Sequence, residues 1–447
     1  MSASLPPGPG ARGTFAFLRA AGAGCVLDYF AELSRRYGPV SSLPLGPLRI
    51  VFVDEPRFIE EILVTRQHEF VRDTGATLLR ELVGEGLLTT DDPAHLQRRR
   101  LMQPAFHRSR VEAYATTIVV ETQRVIDAWD VARPLDLGAE MAQLALAAVG
   151  ASLFGTDLRG QAATVATVLA GVTGRGGSFA VLLAMAAPFL GPLRRAFPDH
   201  PSLLFPRERA RLEEIVAPLV ARERERAGDD DLLSLLIAAR DDGGGALDDA
   251  AVRNELCMLI LAGHETTANA LTWTWYLLSD HPVVQTRFFA EIDTVLAGRT
   301  PTLADVARLP FLAHVFDEAL RLYPPASAFA RRPLRALELG GFAIPKGASV
   351  YVSPFVTQRN ARFFADPLAF VPERWQGAAP PKFAFFPFGG GSKMCIGEPF
   401  ARLEAILALA TIAGRYRFER IDRTPLAPLA QALLKPARPL LVRALAR

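Results

Sequence analysis

Phe388-Gly389-Gly390-Gly391-Ser392-Lys393-Met394-Cys395-Ile396-Gly397 is the stretch on which the reading of this chain turns. It is a glycine-rich loop with one cysteine, and it leads into an apolar helical run from Glu398 to about Ala413. Glycines at 389, 390, 391 and 397 permit turns with positive φ and let the backbone approach a large flat ligand closely. A helix that starts just after Cys395 aims unpaired N–H groups and the positive end of its dipole at the sulfur, which favours the thiolate. Phe388 can cover one side of that sulfur. No second Cys or His stands two to four residues away, so a single Cys cannot build a tetrahedral zinc site here. One thiolate with the opposite coordination side open suits haem iron. A lone Cys in such a turn also fits a small buried residue; the length and composition of the loop favour a ligand.

The rest of the chain sets bounds on that reading. Half of its 447 residues are hydrophobic, ample for a large core. No Ser/Gly/Pro-rich linker or charge block divides it, and candidate motifs run from His95 to Cys395. One domain over residues 1–447 is therefore expected, mainly α with small β-sheets (α+β), behind a short Pro/Gly-rich tail at 1–13. Lys plus Arg number 50 against 47 Asp plus Glu, a net charge of +3, so there is no global nucleic-acid signal. The three cysteines, Cys25, Cys257 and Cys395, are odd in number and scattered, which argues against a disulfide framework and for a reducing compartment. The first residues carry neither a basic-then-apolar leader nor a membrane-length run, so a soluble, cytoplasmic chain is expected.

Along the chain, Val26–Tyr37 has helical spacing and stops at Gly38-Pro39, and Val40–Leu43 and Leu48–Val53 read as short strands. Val71–Asp92 reads as loop-rich. Val111–Trp129 and Met141–Phe154 read as amphipathic helices. The Gly171–Gly177 run lacks the ending of a phosphate loop, and the apolar stretch Phe179–Leu193 is too short and too broken by Pro188, Gly191 and Pro192 to span a bilayer. A lid over a greasy pocket and a plain core helix fit it equally.

Four motifs carry chemistry. In His95-Leu96-Gln97-Arg98-Arg99-Arg100, His95 and Arg99 are i, i+4 neighbours that can point one way; taken alone, the segment also fits a solvated basic helix. The long helical run Asp248–Ser279 holds Ala262-Gly263-His264-Glu265-Thr266-Thr267. Small residues there leave space beside the helix, and an acid next to a hydroxyl in apolar surroundings is costly without a partner or a task. A Thr hydroxyl can also bond back to the carbonyl at i−4 and open the helix locally; a satisfied polar patch between helices is the plainer alternative. Glu318 and Arg321 share one face of a helix near Pro310–Tyr323, and Pro372-Glu373-Arg374-Trp375 brings a second Arg downstream. Such a pair tolerates burial only with extra partners.

In this order, the HxxxR, AGHET, ExxR, PERW and Cys-loop motifs resemble those of the cytochrome P-450 family, and the resemblance spans nearly the whole chain. It implies that family's fold, with haem between the long central helix and the Cys-loop helix. Cys395 would be the axial ligand of haem b. His95, Arg99, Arg331 and Lys393 would balance the propionates, with Phe388 and Gly391 also at the cofactor; Arg332, adjacent to Arg331, keeps that assignment open. Lys393 departs from the Arg or His usual at its position, retaining the charge but not the bidentate fork. Glu265 and Thr266 would deliver protons, and Glu318, Arg321 and Arg374 would form a structural ion-pair network. Leu78, Leu82, Leu87, Leu259, Ala262, Ala326, Ala328 and Phe329 would line an apolar pocket.

The resemblance implies a soluble, bacterial-type monooxygenase, a monomer that inserts one oxygen atom of O2 into a terpenoid, fatty acid or steroid-like molecule. The chain has no flavin or iron–sulfur domain, so electrons would come from a separate ferredoxin or flavodoxin and its reductase. Arg98, Arg100, Arg108, Arg110 and Arg402 would form a basic docking patch. A peroxide-using or rearranging haem-thiolate enzyme and a non-catalytic haem carrier are the alternatives; the Glu265-Thr266 pair argues against both.

Overall fold

The computed structural model describes residues 3–46, 48–173, 205–225, 231–238 and 247–447. The expected lid stretch at 179–193 lies outside the described residues.

The central helix is Asp249–Asp280, 32 residues long. Asp248 caps it, its carboxylate accepting from the Ala251 N–H at 2.7 Å, and Pro282 prevents it from continuing. Most of its second half is buried on all sides, including Leu271, Trp273, Trp275 and Leu278. Helix Leu137–Phe154 runs against it so closely that a Cβ at Gly263 would stand 2.9 Å from Val149. That partner helix is long and apolar enough to cross a membrane, but two-thirds of it is buried among other helices, as befits a core element. Helices Pro310–Leu322 and Glu398–Ala413 complete the core around the central helix. Burial of each Leu, Ile or Phe side chain there stabilises the fold by roughly 1.5–3 kcal/mol.

A five-stranded sheet lies beside this helical mass, in the order Val40–Leu45, Leu48–Val53, Ser349–Val352, Phe329–Pro333, Phe70–Arg72. Only the Leu48–Val53 and Ser349–Val352 pair is parallel. The N-terminal residues pack onto the sheet: Ser42 donates its N–H to Pro7 and its hydroxyl to Pro6, each at 2.8 Å. A helix already begins at Ala11, inside the span read as a tail.

Two expectations change. Val71–Asp92 contains a helix, Thr74–Val83, closed by Gly84 at φ 78°. Its Leu78, Leu79, Leu82 and Val83 have the i, i+4 recurrence of a helix face, which two flanking glycines obscure. The run Val111–Trp129 is split at Tyr114 into Arg108–Ala113 and Ala115–Asp127.

Candidate active site

The cysteine loop closes through the Cys395 N–H donating to the Phe388 carbonyl at 3.0 Å. Gly389 and Gly391 have φ of 76° and 71°, in the left-handed region that disfavours a side chain. At Gly391 the crowding comes from protein: a Cβ would stand 1.9 Å from the Leu63 carbonyl, and the adjacent Ser392 N–H donates to Gln67 at 2.7 Å. Gly391 therefore also has a structural reason to lack a side chain. Phe388 is half-buried, under the Arg402 guanidinium.

Cys395 lies deep in the protein, yet its side chain is open to an internal space and is not packed in. Burial pushes its thiol up to about 11, against the opposing pull of the Gly397 and Glu398 backbone N–H groups. Burial and the helix start thus oppose each other at this sulfur.

Around this space stands a group of cations. Arg99 donates to the Met394 carbonyl at 2.7 Å, tying its helix to the cysteine loop. His95 is buried, with Nδ1 3.1 Å from Asp92, and burial followed by the nearby Arg72 charge lowers its pKa to about 4, so the ring is neutral. Lys393 reaches the other Asp92 oxygen at 3.3 Å, and burial lowers its pKa. Arg331 donates to the Ala330 carbonyl at 3.0 Å and to no carboxylate, whereas Arg332, on the opposite face of the strand, donates to Asp73 at 2.6 Å. Sequence reasoning missed Arg72, Asp91 and Asp92, although an Asp-Asp pair just ahead of the HxxxR was a visible signal.

These residues fit haem b. Four cations, Arg72, Arg99, Arg331 and Lys393, face two carboxylates, Asp91 and Asp92, leaving a partly buried excess of two positive charges (four minus two, with His95 neutral). Charge in such a place needs compensation. The two propionates of haem would supply it, and the open sulfur of Cys395 would be available as the ligand.

Across the space, Thr266 donates its hydroxyl to the Ala262 carbonyl at 2.5 Å within an unbroken helix. Beside it, the half-buried Glu265 carboxyl has its pKa raised by burial. On the far side of the helix, His264 is buried against the Ala142 backbone, and burial brings its pKa down to about 4. Of the expected pocket residues, Leu78, Ala262, Ala326, Ala328 and Phe329 retain exposed surface. Leu82, Leu87 and Leu259 are buried in the core and back the wall instead of forming its face.

Glu318 and Arg321 are wholly buried, 2.8 Å apart, and Arg374 joins them at 2.9 Å. Trp375 Nε1 and the Val371 N–H also donate to Glu318, while Arg321 donates to the carbonyls of Gln358, Pro367 and Ala369. The buried charges are thus fully partnered, which such a network requires. The basic patch needs one correction. Arg98 points inward to the buried Glu255 at 2.7 Å, and Arg402 pairs with Asp317 and Glu398.

A family model described as Cytochrome P450 (P-450) matches residues 6–443. Cyclooctatin synthase of Streptomyces melanosporofaciens is 36% identical over 419 residues, covering 91% of this chain and 89% of that protein. Cyclooctat-9-en-7-ol 5-monooxygenase of the same organism is 33% identical over 408 residues, covering 90% and 86%. Pentalenene oxygenase of Streptomyces avermitilis is 32% identical over 433 residues, covering 94% and 93%.

Proposed function

The chain belongs to the cytochrome P-450 family and is a haem-thiolate monooxygenase of hydrophobic small molecules, and from that premise we propose that its substrate is a cyclic terpenoid, an olefin or an already hydroxylated ring. The observation that carries this reading is likeness along nearly the full length to relatives named for pentalenene and cyclooctat-9-en-7-ol. The partly exposed Leu78, Ala262, Ala326, Ala328 and Phe329 offer an apolar surface of matching character.

When bound, haem would supply dioxygen activation, in which two externally supplied electrons and two protons let one oxygen atom enter a C–H bond of the substrate and the other leave as water. Cys395 would supply the thiolate that holds its iron. Arg99, Arg331 and Lys393 would orient the cofactor by holding its propionates, with His95 neutral among them. Thr266 directs its own proton to the Ala262 carbonyl, which leaves its oxygen lone pairs to accept from a water in the pocket. Glu265, whose carboxyl holds its proton more tightly than usual, resupplies that water. The buried apolar residues behind the pocket exclude bulk water.

Electrons come from a separate ferredoxin- or flavodoxin-type protein. Of the arginines expected to attract it, Arg100 and Arg108 remain exposed, Arg108 donating to Glu112 at 2.8 Å. Charge reversal at both should slow donor-driven reduction most at low ionic strength, where screening is weak; equal rates would move the docking site elsewhere. A cytoplasmic location is proposed from the three unbridged thiols.

Titration of the ferric enzyme with pentalenene-type cyclic olefins, a long-chain fatty acid and a steroid, followed by the Soret shift, tests the substrate. Saturable shifts by cyclic olefins at the lowest concentrations are expected. Tighter binding of the fatty acid or steroid would overturn the assignment.

A further inference from the structure

Arg72 ends the edge strand of the five-stranded sheet, and in the antiparallel register it stands directly opposite Arg331. Residues so paired project to the same face with Cβ atoms about 4.5–5.5 Å apart, and like charges there repel. Among the described residues, neither guanidinium donates to a carboxylate. Arg72 Nε donates to the Thr90 carbonyl at 2.9 Å and Nη2 to the Leu87 carbonyl at 3.0 Å, with Nη1 engaged by none of the described residues. Arg331 donates to its neighbour's carbonyl through Nη1. The acids nearby are engaged: Asp92 with His95 and Lys393, and Asp91 with the backbone N–H of Arg72 itself. Two arginines side by side, both partly withdrawn from water, call for an anion from outside the chain.

Residues 84–90, which Arg72 grips, are held from their other side by the central helix. The Leu87 N–H donates to Glu255 at 3.1 Å and the Leu88 N–H to the Met258 sulfur at 2.9 Å. A Cβ at Gly86 would lie 2.1 Å from the Met258 methyl, so this segment lies flush against the helix that carries Ala262 and Thr266.

We propose that Arg72 is a positioning residue that couples cofactor seating to the substrate wall: it fixes the 84–90 segment through two carbonyls and, beside Arg331, gives its remaining N–H to a haem propionate. Haem binding then relieves the repulsion between the two arginines and tightens the wall in the same event. This rests on the haem-thiolate reading, which the reduced CO spectrum of the wild type tests separately.

The test uses holoenzyme carrying Arg72→Met or Arg72→Lys, with two readouts: haem transfer to excess apomyoglobin and amide exchange of residues 84–90. Arg72→Met should release haem about ten-fold faster or more, as expected for loss of one charge-assisted hydrogen bond. Its 84–90 amides should exchange faster while the core helices keep their protection. Lysine keeps the charge but lacks the fork, so Arg72→Lys should hold haem within about three-fold of wild type while the 84–90 segment stays loosened. If the methionine variant does not load haem, Arg72→Gln is read in the same way. Unchanged haem release in the neutral variant would overturn the proposal. So would unchanged exchange at 84–90, or a lysine variant that sheds haem as fast as the methionine one.

Discussion

Thr266→Ala removes one hydroxyl and nothing else that the central helix needs, since the backbone there is already helical. Substrate and haem should still bind, while product per NADPH consumed falls and hydrogen peroxide rises; unchanged coupling would take Thr266 out of proton delivery. One position earlier but one, His264 makes a different prediction. Its ring is buried and neutral, with its pKa moved from 6.5 to about 4 by burial, against the pull of the Ala142 backbone. Between those values the unfolded chain binds a proton that the folded one refuses, so stability falls as pH drops through this window and levels off below it. The loss amounts to about 3 kcal/mol. His264→Gln should flatten the decline in unfolding midpoint between pH ~7 and ~4.5, and an equally steep decline would show that other groups set it. Thr266 was marked by its place beside an acid, but nothing local marked the deep burial of His264, because that depends on which helix lies behind it.

At the level of elements, the central helix holds more than its proton-handling residues. Glu255 is wholly buried and joins Arg98 on one helix to the Leu87 N–H on the next segment. Glu255→Leu alone would strand the Arg98 charge and should cost about 3–5 kcal/mol. The double variant Arg98→Met/Glu255→Leu should recover most of that loss, because a buried ion pair is worth little against an apolar replacement of similar size. Additive losses in a double-mutant cycle would contradict the coupling. The helix bounds were legible from Asp248 and Pro282, which act locally. Arg98 was read as surface because its neighbours Arg99 and Arg100 disguise a side chain whose partner lies 157 residues away. The same holds for Thr74–Val83, whose apolar face shows only once the loop beyond Gly84 is seen folded onto the central helix.

Across the whole molecule, the motifs that could be read from sequence are those whose spacing is local: ExxR within one turn, AGHET within two, and the cysteine loop. The contacts that join them are not local. Asp92 reaches Lys393 across 301 residues, and Arg72 meets Arg331 only through strand register. The three cysteines differ for the same reason: Cys25 is exposed, Cys257 is buried with its thiol pushed up to about 12, and Cys395 opens onto the interior space. That difference gives the bench a stoichiometric gauge. A small maleimide at mildly alkaline pH, followed to completion, should count Cys25 quickly and Cys395 slowly in cofactor-stripped protein, and Cys25 alone in fully loaded protein, with Cys257 silent until denaturant is added. A fractional count between one and two would then read out the loaded share of a preparation without any spectrum, and a count unaffected by loading would mean that some residue other than Cys395 shields the metal.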